Sequence, residues 1–154
     1  MPDQLQQPHP AYLEDLAVGQ RFRTESATIS EESLLAFAAL YDPQPFHTDH
    51  EAAERSFFGG LAASGWQTAV VSMRLLVSAG FTFADGLIGA HADIAWPTPT
   101  RPGDVIHVVG EVLSFRESRS RPGRGIATMR YTTLTETGEE RLRLTADWLV
   151  FRRR

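Results

Sequence analysis

The stretch SGWQTAVVSMRLLVSA, residues 64–79, decides the fold of this chain. Its apolar residues recur at helical spacing, Arg74 is its only charged residue, and Gly80 is the predicted C-cap. A helix over these residues would be roughly 24 Å long. Because such a helix is nearly apolar on all sides, we expect it to be buried in the centre of the molecule.

The pattern of the sequence changes after Gly86. The hydrophobic period becomes shorter, β-branched residues become more frequent, and turns with proline or glycine divide the chain. Four long strands are predicted: Leu87–Pro97, Asp104–Phe115, Gly125–Thr135 and Arg141–Phe151. Strands joined by short turns form an antiparallel sheet, so the sequence predicts an α+β fold in which one bent antiparallel β-sheet wraps around a central α-helix.

Shorter elements are predicted before the central helix. Arg21–Ile29 alternates between polar and apolar residues, which indicates a strand. Ser30 is the predicted N-cap of a helix that ends near Leu40 and has acidic residues in its first turn. The capping-box pattern Thr-x-x-Glu that starts at Thr48 predicts a second, short helix ending near Phe57.

Size, charge and composition limit the possible functions. A chain of 154 residues fits one domain, and a formal net charge of −4 does not favour binding to nucleic acid or to an anionic membrane. The absence of cysteine excludes disulfides, thiol nucleophiles and cysteine-bound metals. Residues 1–10 are polar and contain proline, so we predict a disordered leader followed by one domain over residues 11–154. No apolar stretch is long enough to cross a bilayer, and we expect a soluble cytoplasmic protein.

An acid and a histidine stand close together ahead of the central helix, in Asp42-Pro43-Gln44-Pro45-Phe46-His47. The two prolines restrict their own backbone and that of the residues before them, so we expect a rigid, non-helical segment. A carboxylate and an imidazole on a rigid backbone suit proton transfer near neutral pH, which makes an enzyme the leading hypothesis. In the plainer interpretation, Asp42 ends the preceding helix and His47 is a hydrogen-bonded loop residue.

This segment resembles the hydratase motif of MaoC-like proteins, the family of the R-specific enoyl-CoA hydratases. The family pattern is Gly-Asp-x-Asn-Pro-(Leu/Ile/Val)-His, and Asp42, Pro45 and His47 match it. Further family-like segments follow at Phe58–Gly65, Trp96-Pro97 and Arg101–Asp104. The resemblance extends over about residues 11–151, and it implies a single hot-dog domain.

The sequence departs from the family pattern at three positions. Tyr41 replaces the glycine before the aspartate, and Gln44 replaces asparagine with a side chain that is one methylene longer. Ser64 stands where histidine commonly precedes the glycine. Where some family members have a serine on the central helix this chain has Met73, so we assign no catalytic serine.

The resemblance implies a hydro-lyase that adds water to a trans-2-enoyl-CoA or removes it from the R-3-hydroxyacyl-CoA. Asp42 would be the main base and His47 would share the proton transfer, each on a water molecule held between them. Gly65 lies at the start of the central helix, where its N–H could donate to the thioester oxygen. The plainer role of Gly65 is to relieve crowding where the helix meets the sheet. No redox cofactor or metal is expected, and CoA is part of the substrate.

Five residues are candidates for substrate binding: Gln44, Ser64, Trp66, Arg119 and Arg121. The two arginines belong to a basic segment that also contains Arg116 and Arg124, and arginine recognises phosphates such as those of CoA. The alternative is a solvated charged loop. His47, Asp49 and His50 have the composition of a metal site, but the helix predicted from Thr48 separates them, so no metal site is predicted.

Two other functions compete with the hydratase. A hot-dog acyl-CoA thioesterase also places a carboxylate at an acyl-CoA site, and a non-catalytic acyl-CoA-binding subunit would need no active dyad. A single hot-dog sheet has an open edge, which native proteins usually cover or pair. We therefore predict a homodimer with a continuous sheet, or a higher oligomer built from such dimers.

Overall fold

A computed structural model gives the structure of residues 10–154. The predicted leader lies outside these residues except for Pro10. The described chain contains a 3-10 turn at Leu13–Asp15, four α-helices and six β-strands. The helices are α1 (Glu31–Tyr41), α2 (Pro45–Thr48), α3 (His50–Glu54) and α4 (Gly65–Ser78). The strands are β1 (Arg21–Arg23), β2 (Ala27–Thr28), β3 (Ile88–Ala95), β4 (Val105–Glu117), β5 (Arg124–Thr135) and β6 (Glu140–Phe151).

All six strands form one antiparallel sheet in the order β1-β4-β5-β6-β3, and β2 pairs with β4 beyond the end of β1. Helix α4 packs against β4 and β6. Its residues Leu75 and Leu76 join the main core with Val108, Met129 and Tyr131. The predicted α+β architecture, a bent antiparallel sheet around a central helix, is confirmed. Among the described residues, no helix is both long and apolar enough to span a membrane.

The expected burial of α4 on all sides is wrong for a single chain. Trp66, Val70 and Val77 are 55%, 52% and 54% exposed. A sheet packs against one side of a helix, and the buried residues of α4 lie on that side. The opposite side therefore presents an apolar stripe to the exterior.

The predicted strand over Arg21–Ile29 is also wrong in part, because two short strands occupy this range. Between them, Thr24 N–H donates to the carbonyl of Val108, and the Val108 N–H donates to the hydroxyl of Thr24 at 3.0 Å. A side-chain oxygen thus takes a position that a backbone carbonyl would have in a regular ladder, and the strand is interrupted there.

The segment from Asp42 to His47 was expected to be non-helical, yet α2 begins at Pro45. Proline is well suited to the first position of a helix, since it has no N–H to satisfy and its φ is already helical. The predicted capping box at Thr48 is wrong as well. The Thr48 hydroxyl donates to the Gln44 carbonyl, whereas the Asp49 carboxylate caps α3 by accepting from Ala52 N–H at 2.7 Å.

Candidate active site

A pocket of about 380 Å³ lies at the N-terminus of α4. Helix α2 forms one side of it, and the segment that leads from β3 to Thr100 forms another. Its aromatic wall consists of Phe46, Phe57, Phe58, Trp66 and Trp96. Its polar wall consists of Asp42, Gln44, His47, Thr68, Thr98, Thr100 and Arg141. The pocket thus combines apolar surface with a few hydrogen-bonding groups, as in most small-molecule sites.

Asp42 is the C-cap of α1, and its carboxylate is held by two side chains. The hydroxyl of Ser64 donates to Oδ2 at 2.7 Å, and the amide of Gln44 donates to Oδ1 at 2.7 Å. Burial by itself raises the pKa of this carboxyl, but these hydrogen bonds and the nearby His47 ring outweigh it, and the pKa lies below the ordinary 3.8. Asp42 is therefore ionised at neutral pH and is held in one orientation.

His47 is buried, with 5% of its surface exposed. Its Nδ1 lies 2.6 Å from the carbonyl oxygen of Ala62. A carbonyl oxygen can only accept, so Nδ1 carries a proton and the neutral ring has its lone pair on Nε2. Nε2 lies 3.3 Å from Oδ2 of Asp42. The structure thus brings the two predicted acid–base groups together and fixes the tautomer of the histidine.

This arrangement can hold a water molecule in a defined orientation. When His47 is neutral, Nε2 and the Asp42 carboxylate are both acceptors, and a water molecule can donate one hydrogen to each. When His47 is protonated, Nε2–H faces an ionised carboxylate. Either state keeps a base and a potential acid within reach of one small volume in the pocket.

Gly65 is the first residue of α4, and it lines the pocket. Its N–H is one of the helix amides that have no intrahelical acceptor. Trp96 covers the glycine, since the indole N–H donates to the Gly65 carbonyl at 2.9 Å. A Cβ at position 65 would lie 2.5 Å from Nε1 of Trp96. The crowding role considered for Gly65 is therefore real, and its N–H stays available for a donor role as well.

The predicted substrate-binding residues fall into three groups. Ser64 is fully buried behind the carboxylate and does not line the pocket, whereas Gln44 lines it and also holds Asp42. Trp66 lines the pocket and packs edge-on against Trp96, with ring centroids 5.1 Å apart. The third group, Arg119 and Arg121, lies on the exposed β4–β5 loop at the far end of the sheet.

Sequence reasoning missed Arg141, whose guanidinium is buried and lines the pocket. Its Nε donates to Asp104 at 2.9 Å, and its Nη1 donates to Thr98 at 2.8 Å and to Glu139 at 2.9 Å. The only sequence signal was its place as the first residue of the predicted strand Arg141–Phe151. Trp96, in one of the family-like segments, is half-exposed and forms part of the pocket wall.

The histidines offer no group of metal ligands. Between residues 10 and 154, no three His, Asp or Glu side chains lie close enough to hold one ion. His50 pairs with Glu31 at 2.8 Å, and His47 uses Nδ1 for the Ala62 carbonyl.

Comparisons with known proteins reveal related chains. The family model described as MaoC like domain matches residues 15–136. The MaoC-like dehydratase from Rhodospirillum rubrum is 52% identical, with a TM-score of 0.91 over 94% of this chain and 99% of that chain. The (R)-hydratase from A. caviae involved in PHA biosynthesis is 25% identical, with a TM-score of 0.68 over 91% of this chain and 99% of that chain. The uncharacterized protein YdeM of Bacillus subtilis is 33% identical over 112 residues, which cover 72% of this chain and 79% of that protein.

Proposed function

Because this chain belongs to the MaoC-like domain family and has its hot-dog fold, we propose that it is a hydro-lyase that reversibly adds water to a trans-2-enoyl-CoA and forms the R-3-hydroxyacyl-CoA. The observation that carries the proposal is the 3.3 Å approach of His47 Nε2 to Asp42 Oδ2 at the wall of a pocket. The similarity to an (R)-hydratase supports the stereochemistry.

The proposed reaction begins with an ionised Asp42 and a protonated His47. Asp42 takes one proton from the bound water, and the hydroxide forms a bond to the β-carbon of the enoyl group. The electron pair of the double bond moves towards the thioester carbonyl, and His47 gives its Nε2 proton to the α-carbon. The proton on Asp42 then returns to His47 across the 3.3 Å contact, which restores the starting state.

Gly65 is the proposed donor to the thioester oxygen during this reaction. Negative charge develops on that oxygen, and the N-terminus of α4 supplies free N–H groups and a positive dipole end. The 14-residue α4 is long enough to carry such a dipole. Trp96 fills the space that a Cβ at position 65 would need, so a larger residue there would displace the indole from the pocket wall.

The aromatic wall supports an acyl-CoA substrate. Phe57, at 99% exposure, and the half-exposed Trp66 place apolar surface at the pocket mouth, where an acyl or pantetheine chain would cover it. The proposed reaction needs no redox cofactor and no metal, and CoA enters as part of the substrate.

A homodimer is the proposed assembly. Among residues 10–154, strand β3 pairs only with β6, and all but one of its residues are exposed, so its outer edge is open to a further strand. The apolar stripe of α4, formed by Trp66, Val70 and Val77, is also exposed, and Trp66 packs against Trp96, the residue that follows β3. Pairing of two β3 strands would extend the sheet and would also cover the two stripes.

The decisive test is hydration of crotonyl-CoA, followed by loss of enone absorbance, with and without a chelator. We expect Asp42→Asn and His47→Ala each to lower kcat by about 100- to 10,000-fold. Asp49→Asn and His50→Ala are the matched controls, since these neighbours cap α3 and pair with Glu31 on the surface. Controls that retain activity while the two variants lose it support the proposal.

Two outcomes would replace this function. Release of free thiol from saturated acyl-CoA, without hydration, would select the thioesterase. Tight CoA binding without turnover of any enoyl-CoA would select the non-catalytic subunit. Equal hydration rates in the wild type, Asp42→Asn and His47→Ala would remove the dyad from the mechanism.

A further inference from the structure

The β4–β5 loop and its flanks, residues 116–124, are called here the arginine loop. Four arginines lie in it, at positions 116, 119, 121 and 124. None of their guanidinium groups has an ion-pair or hydrogen-bond partner among residues 10–154. The one acid of the loop, Glu117, is already paired with Arg152. The loop is therefore an exposed patch of positive charge that the chain itself does not neutralise.

Within one chain this loop is remote from the pocket. Arg141 lines the pocket, and Arg143 follows it on β6 opposite Thr132 of β5. The stretch Arg124–Thr132 of β5 then covers roughly 27 Å before the loop begins. The pantetheine arm of CoA has about as many chain bonds as four residues and spans roughly 15 Å. A CoA thioester in the pocket cannot bring its phosphates to the arginine loop of the same chain.

The open edge of β3 defines how a second copy would pair. His91 and Asp93 lie on the same outer face of the strand, with exposed side chains. If two β3 strands pair antiparallel with Ala92 opposite Ala92, each His91 lies opposite Asp93 of the partner subunit. If the partner strand slides by two residues in one direction, His91 faces His91 of the partner subunit. If it slides by two residues in the other direction, Asp93 faces Asp93 of the partner subunit. An imidazole can donate a hydrogen bond to a facing carboxylate, whereas two facing carboxylates repel each other.

This register brings the partner's arginine loop to the pocket. In each chain, the Ala95 end of β3 lies beside Arg143 near the pocket, and the Ile88 end lies beside Leu149 near the arginine loop. Antiparallel pairing about Ala92 brings the Ile88 end of the partner's β3 to the Ala95 end of this strand, next to Trp96, a wall residue of the pocket. From Trp96, the partner's β3, β6 and β5 follow one another across the sheet. The partner's β5 is therefore three strand spacings, or roughly 14 Å, from Trp96. That distance matches the pantetheine arm.

We propose that each pocket is completed by the partner's arginine loop, in which Arg119 and Arg121 bind the phosphates of the CoA thioester. The inference rests on the proposed function and names the part of its substrate that these residues recognise. Guanidinium groups form paired hydrogen bonds with phosphate, and four unpaired arginines on one loop give several such donors.

The first test separates the phosphates from the reacting group. In the variant Arg119→Ser/Arg121→Ser we expect kcat/KM for crotonyl-CoA to fall about tenfold, through KM. The same variant should hydrate the N-acetylcysteamine thioester, which has no phosphate, at the wild-type rate. Arg23→Ser, at an exposed position on β1, is the matched control and should change neither value. An equal loss on both thioesters, or no loss on either, would overturn the inference.

A binding measurement keeps this test independent of turnover. Calorimetric titration should show weaker binding of CoA by the double variant and unchanged binding of pantetheine. If the wild type hydrates neither thioester, the proposed function fails, but the difference between CoA and pantetheine still decides the role of the arginines. Unchanged CoA affinity in the double variant would contradict that role.

The second test asks which chain supplies the arginines. We would mix Asp42→Asn dimers with Arg119→Ser/Arg121→Ser dimers under conditions that exchange subunits. In a mixed dimer, the protomer that retains Asp42 receives intact arginines from its partner, so about one quarter of all pockets become complete. The mixture should then exceed the average of its parents at low crotonyl-CoA. A mixture of Asp42→Asn with His47→Ala is the control, in which no activity should be restored because both changes lie in the same pocket of one chain. If the first mixture also shows no restored activity, the arginines do not act in trans.

Discussion

The pocket and the arginine loop treat their charged groups in opposite ways. In the pocket, Asp42 accepts hydrogen bonds from two side chains, and Arg141 donates to three. In the arginine loop, four guanidinium groups have no partner within the described chain. Paired charges hold fixed positions, and their loss disturbs the fold. Unpaired charges on the surface can be removed without harm to the fold, so only a ligand or a partner would sense them.

Arg141→Met should produce the largest effect, which is a loss of stability. The substitution leaves the largely buried carboxylate of Asp104 with the Arg101 N–H as a donor but without its charged partner. Loss of one member of a buried ion pair typically costs several kcal/mol, so we expect the free energy of unfolding to fall by about 3 kcal/mol. Urea denaturation followed by circular dichroism measures this change.

The matched control for this change is Arg143→Met on the same strand. Arg143 pairs with Glu140, but half of its side chain is exposed. Exposed pairs contribute little, and we expect a loss of about 0.5 kcal/mol. If both variants lose the same free energy, the burial of Arg141 is not what makes it important.

Gly65→Ala should produce the next largest effect, on activity. The new Cβ would lie 2.5 Å from the Trp96 indole, which must then move and give up its hydrogen bond to the Gly65 carbonyl. Displacement at the helix N-terminus by about 1 Å can cost about 100-fold in rate. We expect a loss of this order in kcat for crotonyl-CoA. Gly60→Ala is the control, because a Cβ there meets only an ordinary contact at 3.5 Å.

A double variant separates the two roles of Gly65. If the glycine only makes room for Trp96, then Gly65→Ala in a Trp96→Ala background should have no further effect on kcat. If the glycine also admits the thioester, the double variant should remain slower than Trp96→Ala alone. We expect the second result, because alanine retains the N–H but its Cβ would hinder the approach of the thioester to it.

Much of the fold could be predicted from local patterns. Helix α4 and strands β3 to β6 were placed within a few residues of their observed ends, since periodicity and turn residues are local signals. The break near Thr24 could not be predicted, because it depends on hydrogen bonds to Val108. The start of α2 at Pro45 was missed because the proline was interpreted as excluding a helix, whereas proline also favours a first helical turn.

The site shows the same limit. The spacing of Asp42 and His47 within one rigid segment, taken together with the family motif, predicted that the two side chains lie together. The hydrogen bond from Ser64 to Asp42 joins residues 22 positions apart, and the ion pair of Arg141 with Asp104 joins residues 37 positions apart. No local pattern contains such pairs. The family resemblance supplied the position of Ser64 but not its contact.

Ser64→Ala should have a smaller effect on rate and a distinct effect on pH dependence. Burial raises the pKa of Asp42, and the Ser64 hydroxyl is the first of three groups, with Gln44 and His47, that lower it, so loss of the hydroxyl should raise this pKa. Ionised Asp42 is the proposed base, so the acid limb of the kcat/KM profile should move to higher pH. A hydrogen bond to a charged group is worth about 1.5 kcal/mol, which corresponds to about a tenfold loss at neutral pH.

The stability of Ser64→Ala, relative to the wild type, should also depend on pH. A carboxyl group whose pKa is lower in the folded state stabilises the protein at pH values above its pKa in the unfolded state. This contribution is lost as the pH falls through its pKa in the folded state. Ser64→Ala should therefore be less stable than the wild type at neutral pH, with the difference shrinking in acid. Ser30→Ala is the control, since the Ser30 hydroxyl caps α1 without touching Asp42. It should cost about 1 kcal/mol at any pH and leave the kinetic profile in place.

The smallest expected effect is that of Arg119→Ser/Arg121→Ser on stability. Both residues are exposed, and neither guanidinium has a partner within residues 10–154, so the free energy of unfolding should change by less than about 0.5 kcal/mol. Arg153→Ser is the contrasting variant, because Arg153 pairs with Asp15 and lies over the ring of Tyr12. Its loss should cost about 1 kcal/mol in the same urea titration. A double variant that unfolds as readily as Arg153→Ser would mean that the loop arginines support the fold, and the contrast between the pocket and the arginine loop would then be lost.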